Sequence, residues 1–512
     1  MNRSMQGRLV SLAIALLLPV VSSSCGGGSG SDGGGAGDTG VGTVAGFGSV
    51  IVNGVRYDDG AIGAADFFDD HGRTKADLKA GMMVAISGSI NGANGRADNI
   101  AVLRHVDGPM DDNGVDLATS VLKVMGQDVV VDAATAFDNG ITSLSDLRTL
   151  QGSNVRHPEL EVHGSADNNG VIHATFINKW SDNNVIGRNV QVRGTVAGLN
   201  TGAKTFSIGR KTVDYALGSL PAGVDNGSFL ETKGTLRASD NALVATLVKM
   251  EDATGGQPSG GRAEAEGYVN RVITQAAGSG SFELLGPIGV QTVSWTSGTT
   301  AFNGGTGADL GAGVKVEVEG TRKVGGTLAA TRIRILRASN VRMESTVTSV
   351  TSSTLTIFGK TVTVNSLTRY EDSRSVNPLR TFGQANILVG NSLKVSAFID
   401  NTGVLDSIVA TRVERVDAIT GTNHLLQGTV EDPTANPTLT ILGMTVTTTA
   451  SAVGTTFLQA DETPFPGATP LLRQIAFFNA VTPGQTVVKA RGQLALGGIL
   501  ADEVQVEPTI DN

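Results

Sequence analysis

The chain has 512 residues, a formal net charge of -9, 17% charged residues, 68 glycines and a single cysteine. That acidic balance argues against a nucleic-acid partner, which needs a clustered excess of Lys and Arg, and an aromatic content of 4% offers no evident row of stacking platforms for a polysaccharide. One cysteine also excludes an internal disulfide.

At the amino terminus Arg3 and Arg8 precede an apolar run, Leu9 to Val21, too short for an ordinary transmembrane helix and matching a secretory signal. Residues 1–24 are read as this removable segment. It ends in Ser22-Ser-Ser-Cys25, which resembles the lipobox of bacterial lipoproteins, with Ser22 where a branched residue is usual. The resemblance implies a lipid on Cys25 and a membrane anchor; the alternative is plain secretion with an incidental thiol. Residues 25–40 are rich in glycine, cannot bury apolar area and read as a flexible tether. Gly26 stands where an aspartate would favour retention in the inner membrane, so the outer membrane is the expected destination, with the chain facing the periplasm or the cell surface.

From residue 41 onward one pattern recurs. In Val314 to Gly320 valines alternate with Lys315, Glu317 and Glu319, giving a strand with one dry and one wet face, and after a glycine turn Leu328 to Ile335 returns as the second arm of a hairpin. Alternation would place Thr331, Ile333 and Ile335 on the inner side. The signature of the return arm, Ala-Thr or Ala-Asp followed two residues later by an aliphatic, begins at Ala97, Ala174, Ala245, Ala330, Ala410 and Ala501. Six copies at spacings of about 70 to 90 residues predict a tandem array of small β modules. These are 41–106, 107–180, 190–251, 262–337, 340–416 and 424–508, with the polar linker 252–261 as the clearest boundary. The expected class is all-β: about six small antiparallel barrels of OB or SH3-like type.

Within the modules Thr135-Ala-Phe137, Thr300-Ala-Phe302, Thr368-Arg-Tyr370 and Thr456-Phe457 form a threonine–aromatic feature, read as a plug at the end of each barrel. The signature threonine or aspartate is read as accepting a hydrogen bond from a free backbone N–H. Module five has Ala397 in place of the hairpin glycine, which predicts more regular pairing there. Module six carries a proline-punctuated insertion, 461–478, ending in Leu471, Leu472, Ile475, Phe477 and Phe478. If exposed, this run is a partner-docking patch; the favoured reading has Leu471, Leu472, Ile475 and Phe478 capping the module's own core. Taken together, the order Gly-x-Val, glycine-turned strand, threonine–aromatic, Leu-x-x-Gly, Val-x-Val-x-Gly and Ala-Thr-x-Ile resembles a bacterial family called domain of unknown function 5666. The resemblance spans nearly all of residues 41–508 and implies small β-barrels in secreted proteins and lipoproteins, without an activity.

Convergent reactive groups are scarce. His157, His163 and His173 fall in module two, but alternation points His163 outward with Glu161 and His173 inward with Thr175 and Ile177, so they do not chelate one ion. Asp107, Asp111, Asp112, Asn113 and Asp116 lack the spacing of an EF-type calcium loop and read as a turn. Glu317 and Glu319 lie on the wet face of their strand. The leading expectation is a non-catalytic cell-envelope lipoprotein with no cofactor, tethered at Cys25, whose barrels present a long surface to an unknown envelope protein or polymer. The alternative is a metal- or calcium-dependent envelope enzyme using the acidic and histidine cluster of module two.

Overall fold

The computed structural model describes residues 37–153, 157–183, 187–253, 259–400, 407–432 and 436–510. The signal segment, Cys25 and most of the tether lie outside the described residues, as do 254–258 of the polar linker.

The hairpin at Lys315–Arg322 and Leu328–Leu336 shows how the sequence builds a barrel. Val316 and Val318 are fully buried, and facing them are Leu328, Ala330, Ile333 and Ile335. Ala330 and Ile333 are three residues apart yet share the inner face, because Gly320 pairs with Ala330 and Glu319 with Arg332, leaving Thr331 as the extra residue of a β-bulge. The expectation that Thr331 faces inward is therefore corrected: it is exposed. Asp98, Thr175, Thr246, Thr411 and Asp502 occupy the same extra position. The bulge brings the two backbones so close that a Cβ on Gly320 would lie 2.3 Å from the carbonyl oxygen of Ala329. Ala397 does not regularise its hairpin as expected. The bulge persists between Ser396 and Ala397, and the buried methyl enters the barrel interior.

Closure follows one scheme in all six copies. In the second, the long first strand Val106–Asp116 pairs antiparallel with Val121–Val124, which pairs with Gln127–Val130. That strand runs parallel to Ile172–Ser181, which returns antiparallel along Glu159–Ala166, and this last strand closes on the first. This is the strand order of an OB barrel. The six barrels begin at Asp38, Val106, Val190, Arg262, Val341 and His424. Where OB barrels place a helix before the fourth strand, the second has α1 (Leu144–Ser153) and the sixth α2 (Pro470–Ala480), while the first, fourth and fifth have a single 3-10 turn. Each turn delivers one buried aliphatic, Leu78, Leu310 or Ile387, to the end of the barrel.

The threonine–aromatic feature closes the same end. Phe137, Phe302, Tyr370 and Phe457 pack on their own barrels' cores. The hydroxyls of Thr135, Thr300 and Thr368 donate to the carbonyls of the signature alanines at 2.7–2.9 Å. In the sixth barrel Thr455 rather than Thr456 makes this bond, to Ala501 at 2.6 Å. The bulge threonines likewise donate rather than accept: Thr331 to the Glu319 carbonyl and Thr411 to that of Ser396, each at 3.1 Å.

The barrels are not strung end to end. The first strand of barrel one adds in parallel to that of barrel four through Thr39, Gly40 and Val41, so copies distant in sequence share a sheet. Barrels two and three join antiparallel through Val106 and Asp107, and barrels five and six through Arg342, Met343 and Glu344. Further contacts draw these pairs together. Arg369 of barrel five donates to carbonyls of Thr175 and Ala134 in barrel two, and Arg380 donates to those of Leu78 and Lys75 in barrel one. The long, extended surface expected from the repeat is replaced by a cluster.

Candidate functional site: the cavity at the barrel junctions

At the junctions, side chains that alternate away from one barrel's core are covered by its neighbour. Glu161 and His163, expected to be wet, are fully buried against barrel one. The Glu161 carboxylate accepts from Arg104 Nε at 2.7 Å, Arg73 Nη1 at 3.1 Å and Asn178 Nδ2 at 3.2 Å, and contacts His163 Nε2 at 2.9 Å. Burial raises its proton affinity, but His163, Arg104 and Arg73 outweigh that and hold the carboxyl well below its usual range. Arg104, also paired with Asp69, is 1% exposed. His173 and Thr175 turn outward from barrel two, contrary to the expected inward position, because the bulge shifts the alternation. His173 stacks on Tyr268 of barrel four with ring centroids 4.6 Å apart, and Thr175 donates to the Gly81 carbonyl of barrel one at 2.7 Å.

The residues considered for metal chemistry are dispersed. Asp107 meets His71 at 2.6 Å and Arg188 at 3.0 Å; Asp111 caps the Gly126 N–H at 2.9 Å; Asp112 meets His157 at 2.5 Å; Asp116 accepts from Ala118 N–H at 3.0 Å. Asn113 takes a left-handed turn conformation, with φ of 50°. His105 is buried, and burial together with Arg193 pushes it down to about 4. Among the described residues no three His, Cys, Asp or Glu side chains converge as a ligand set.

The insertion of barrel six folds as α2, capped by the Thr469 hydroxyl, which accepts from Leu472 N–H at 3.3 Å, with Pro470 opening the helix. Phe477 is fully buried against Phe457 and Phe465, so it is unavailable for docking. Leu471, Leu472 and Ile475, expected to cap the core, are exposed, and Phe478 is half-buried against it. Phe477 supplies the cap instead.

The open space lies where barrels one, two, four and five meet. It is a cavity of about 400 Å³ walled by Thr43 and Asn53, by Asp132, His173 and Thr175, by Glu266, Tyr268, Lys315, Glu317 and Arg334, and by Arg369. A second recess shares Asn303, Arg334, Asn365 and Leu367 with it and adds Arg332. On barrel four, Glu266 pairs with Lys315 at 2.8 Å and accepts from Thr43 N–H of barrel one at 3.1 Å. Glu317, 1% exposed, pairs with Arg334 through one oxygen, while its Oε1 is buried without a hydrogen-bond partner. Burial, opposed by Arg334, pushes its carboxyl up to about 7. Arg369 is pushed down to about 10 by burial and by Arg412. From sequence, Lys315 and Glu317 read as the wet face of a strand and His173 and Thr175 as inward-facing, and nothing marks any of them as lining a cavity.

Tandem closed β-barrels welded through their outward faces define the class as an OB-like repeat protein. The model of the family described as "Domain of unknown function (DUF5666)" matches residues 107–178, 267–334 and 344–414, which lie in barrels two, four and five. Barrels two, four and five are repeats of this domain. No curated protein gives a match. Among solved structures, a chain described as drosophila Unr CSD456 is similar to it at 14% identity and a TM-score of 0.11, over 44% of this chain and 96% of that one.

Proposed function

We propose that this protein is a non-catalytic cell-envelope lipoprotein, held at the outer membrane by a lipid on Cys25, whose six barrels form one binding scaffold for an envelope ligand or partner. The address rests on the apolar run, the Ser22-to-Cys25 stretch and the glycine tether that follows. The binding reading rests on one observation: where barrels one, two, four and five join through contacts such as Arg104 with Glu161, a cavity remains at the junction. The exposed Leu471, Leu472 and Ile475 offer a second place for an envelope protein to dock. Metabolic labelling with a palmitate analogue tests the anchor. Wild-type chain incorporates label and sediments with membranes, whereas Cys25→Ala does neither; an unlabelled, soluble wild type would overturn it.

A further inference from the structure

The cavity's own chemistry says what it would hold, an inference that rests on the binding reading above and narrows it. Along its walls Lys315, Arg334, Arg337 and Arg369 balance Asp132, Glu266, Glu317 and Asp400, and Arg332 of the adjoining recess pairs with Glu319 at 2.7 Å. Two of the four carboxylates are well occupied. Asp132 accepts three backbone N–H groups, from Ala134 at 2.8 Å, Thr135 at 3.0 Å and Ser339 at 3.1 Å, and Glu266 is held by Lys315 and Thr43.

Arg369 is different. Its guanidinium donates to two carbonyl oxygens, Thr175 at 3.0 Å and Ala134 at 2.6 Å, and among the described residues no carboxylate stands within ion-pairing distance. A buried cation held only by neutral acceptors keeps a desolvation cost that a counter-anion relieves. Much of the remaining wall is apolar: Ala45, Val130, Ile335, Phe398 and Val409. A pocket of this size, largely apolar with a few oriented polar groups, suits a small organic molecule.

We infer that the cavity at the junction of barrels one, two, four and five binds a small organic monoanion, a carboxylate with an apolar body, its charge set against Arg369 and its entry through the Asn303, Asn365 and Leu367 side. A single negative charge matches the Arg369 guanidinium, which lacks a carboxylate partner among the described residues, and a dianion would exceed it.

The test is calorimetric titration of the full chain, purified in detergent, with benzoate and with benzamide, which share a shape and differ in charge. Benzoate binds one per chain and benzamide about tenfold or more weakly, as loss of a charge-assisted hydrogen bond requires. Arg369→Gln keeps an amide donor for the carbonyls and abolishes the preference, while its thermal melt reports folding. Leu367→Trp narrows the entry without altering charge and weakens both ligands. Equal binding of the pair, a benzoate affinity unchanged in Arg369→Gln, or no binding of either by folded wild type overturns the assignment. Equal binding that Leu367→Trp removes would leave the scaffold reading standing, and the palmitate result bears on the anchor alone.

Discussion

Glu264 gives the sharpest test of how barrels one and four are joined. It sits opposite Gly40 in the three-residue parallel ladder between them and is 2% exposed, with Oε2 lacking a hydrogen-bond partner. Burial first, then Glu317 and Glu319, push its carboxyl up to about 9 against the pull of Arg262 and Arg334. Across the junction the Tyr57 hydroxyl of barrel one and Asp38 belong to the same electrostatic cluster. A carboxyl whose folded pKa is raised contributes fully below its unfolded value of 4.5, and that contribution is lost as pH rises toward about 9. The slope is about 1.4 kcal/mol per pH unit, so two units across neutrality remove about 3 kcal/mol. Glu264→Gln copies the neutral carboxyl and deletes this dependence. Hydrogen exchange of the amides at Thr39, Val41, Ala263 and Ala265, corrected for intrinsic rate, reads it directly. Wild-type protection should fall about a hundredfold over those two units relative to the variant. Parallel pH profiles for the two proteins would refute a buried, protonated Glu264 at the junction.

Three further outcomes follow from the packing. Thr300→Val removes the hydroxyl bond to Ala330 and leaves a buried carbonyl short of a donor, costing about 1–2 kcal/mol in thermal or denaturant unfolding. Phe477→Ala empties the end of barrel six and costs about 3–5 kcal/mol, whereas Leu471→Ser on the exposed face of the same helix changes stability by less than about 1 kcal/mol. Arg104→Met leaves Glu161 and Asp69 buried with fewer partners and costs about 3–5 kcal/mol, appearing as increased proteolysis between barrels one and two.

The barrel was readable because strand alternation and turn glycines record which side chains face a barrel's own core. Its bulge was also on the page: Ala330 and Ile333 lie three apart, and an odd spacing inside a period of two marks an inserted residue. Strict alternation, which puts Thr331 and His173 inward, leaves out the inserted residue that reverses the faces. The welds were not readable in this way. Alternation says that Glu161 and Glu317 point away from their own core but carries no information about another barrel covering them. The cavity is less local still, since Thr43, His173, Lys315 and Arg369 meet only once four barrels are docked. At Leu471, Leu472 and Ile475 the sequence shows an apolar run, and only the fold shows that α2 turns Phe477 into the interior with Phe478 half-buried beside it.

Small-angle X-ray scattering of the full chain tests most directly whether six copies of one barrel are welded into a single body. A welded cluster of this length has a radius of gyration of about 23 Å, with a small increment from the tether. A value about twice as large, with the profile of an elongated chain of beads, would contradict the junctions on which the cavity and its ligand depend.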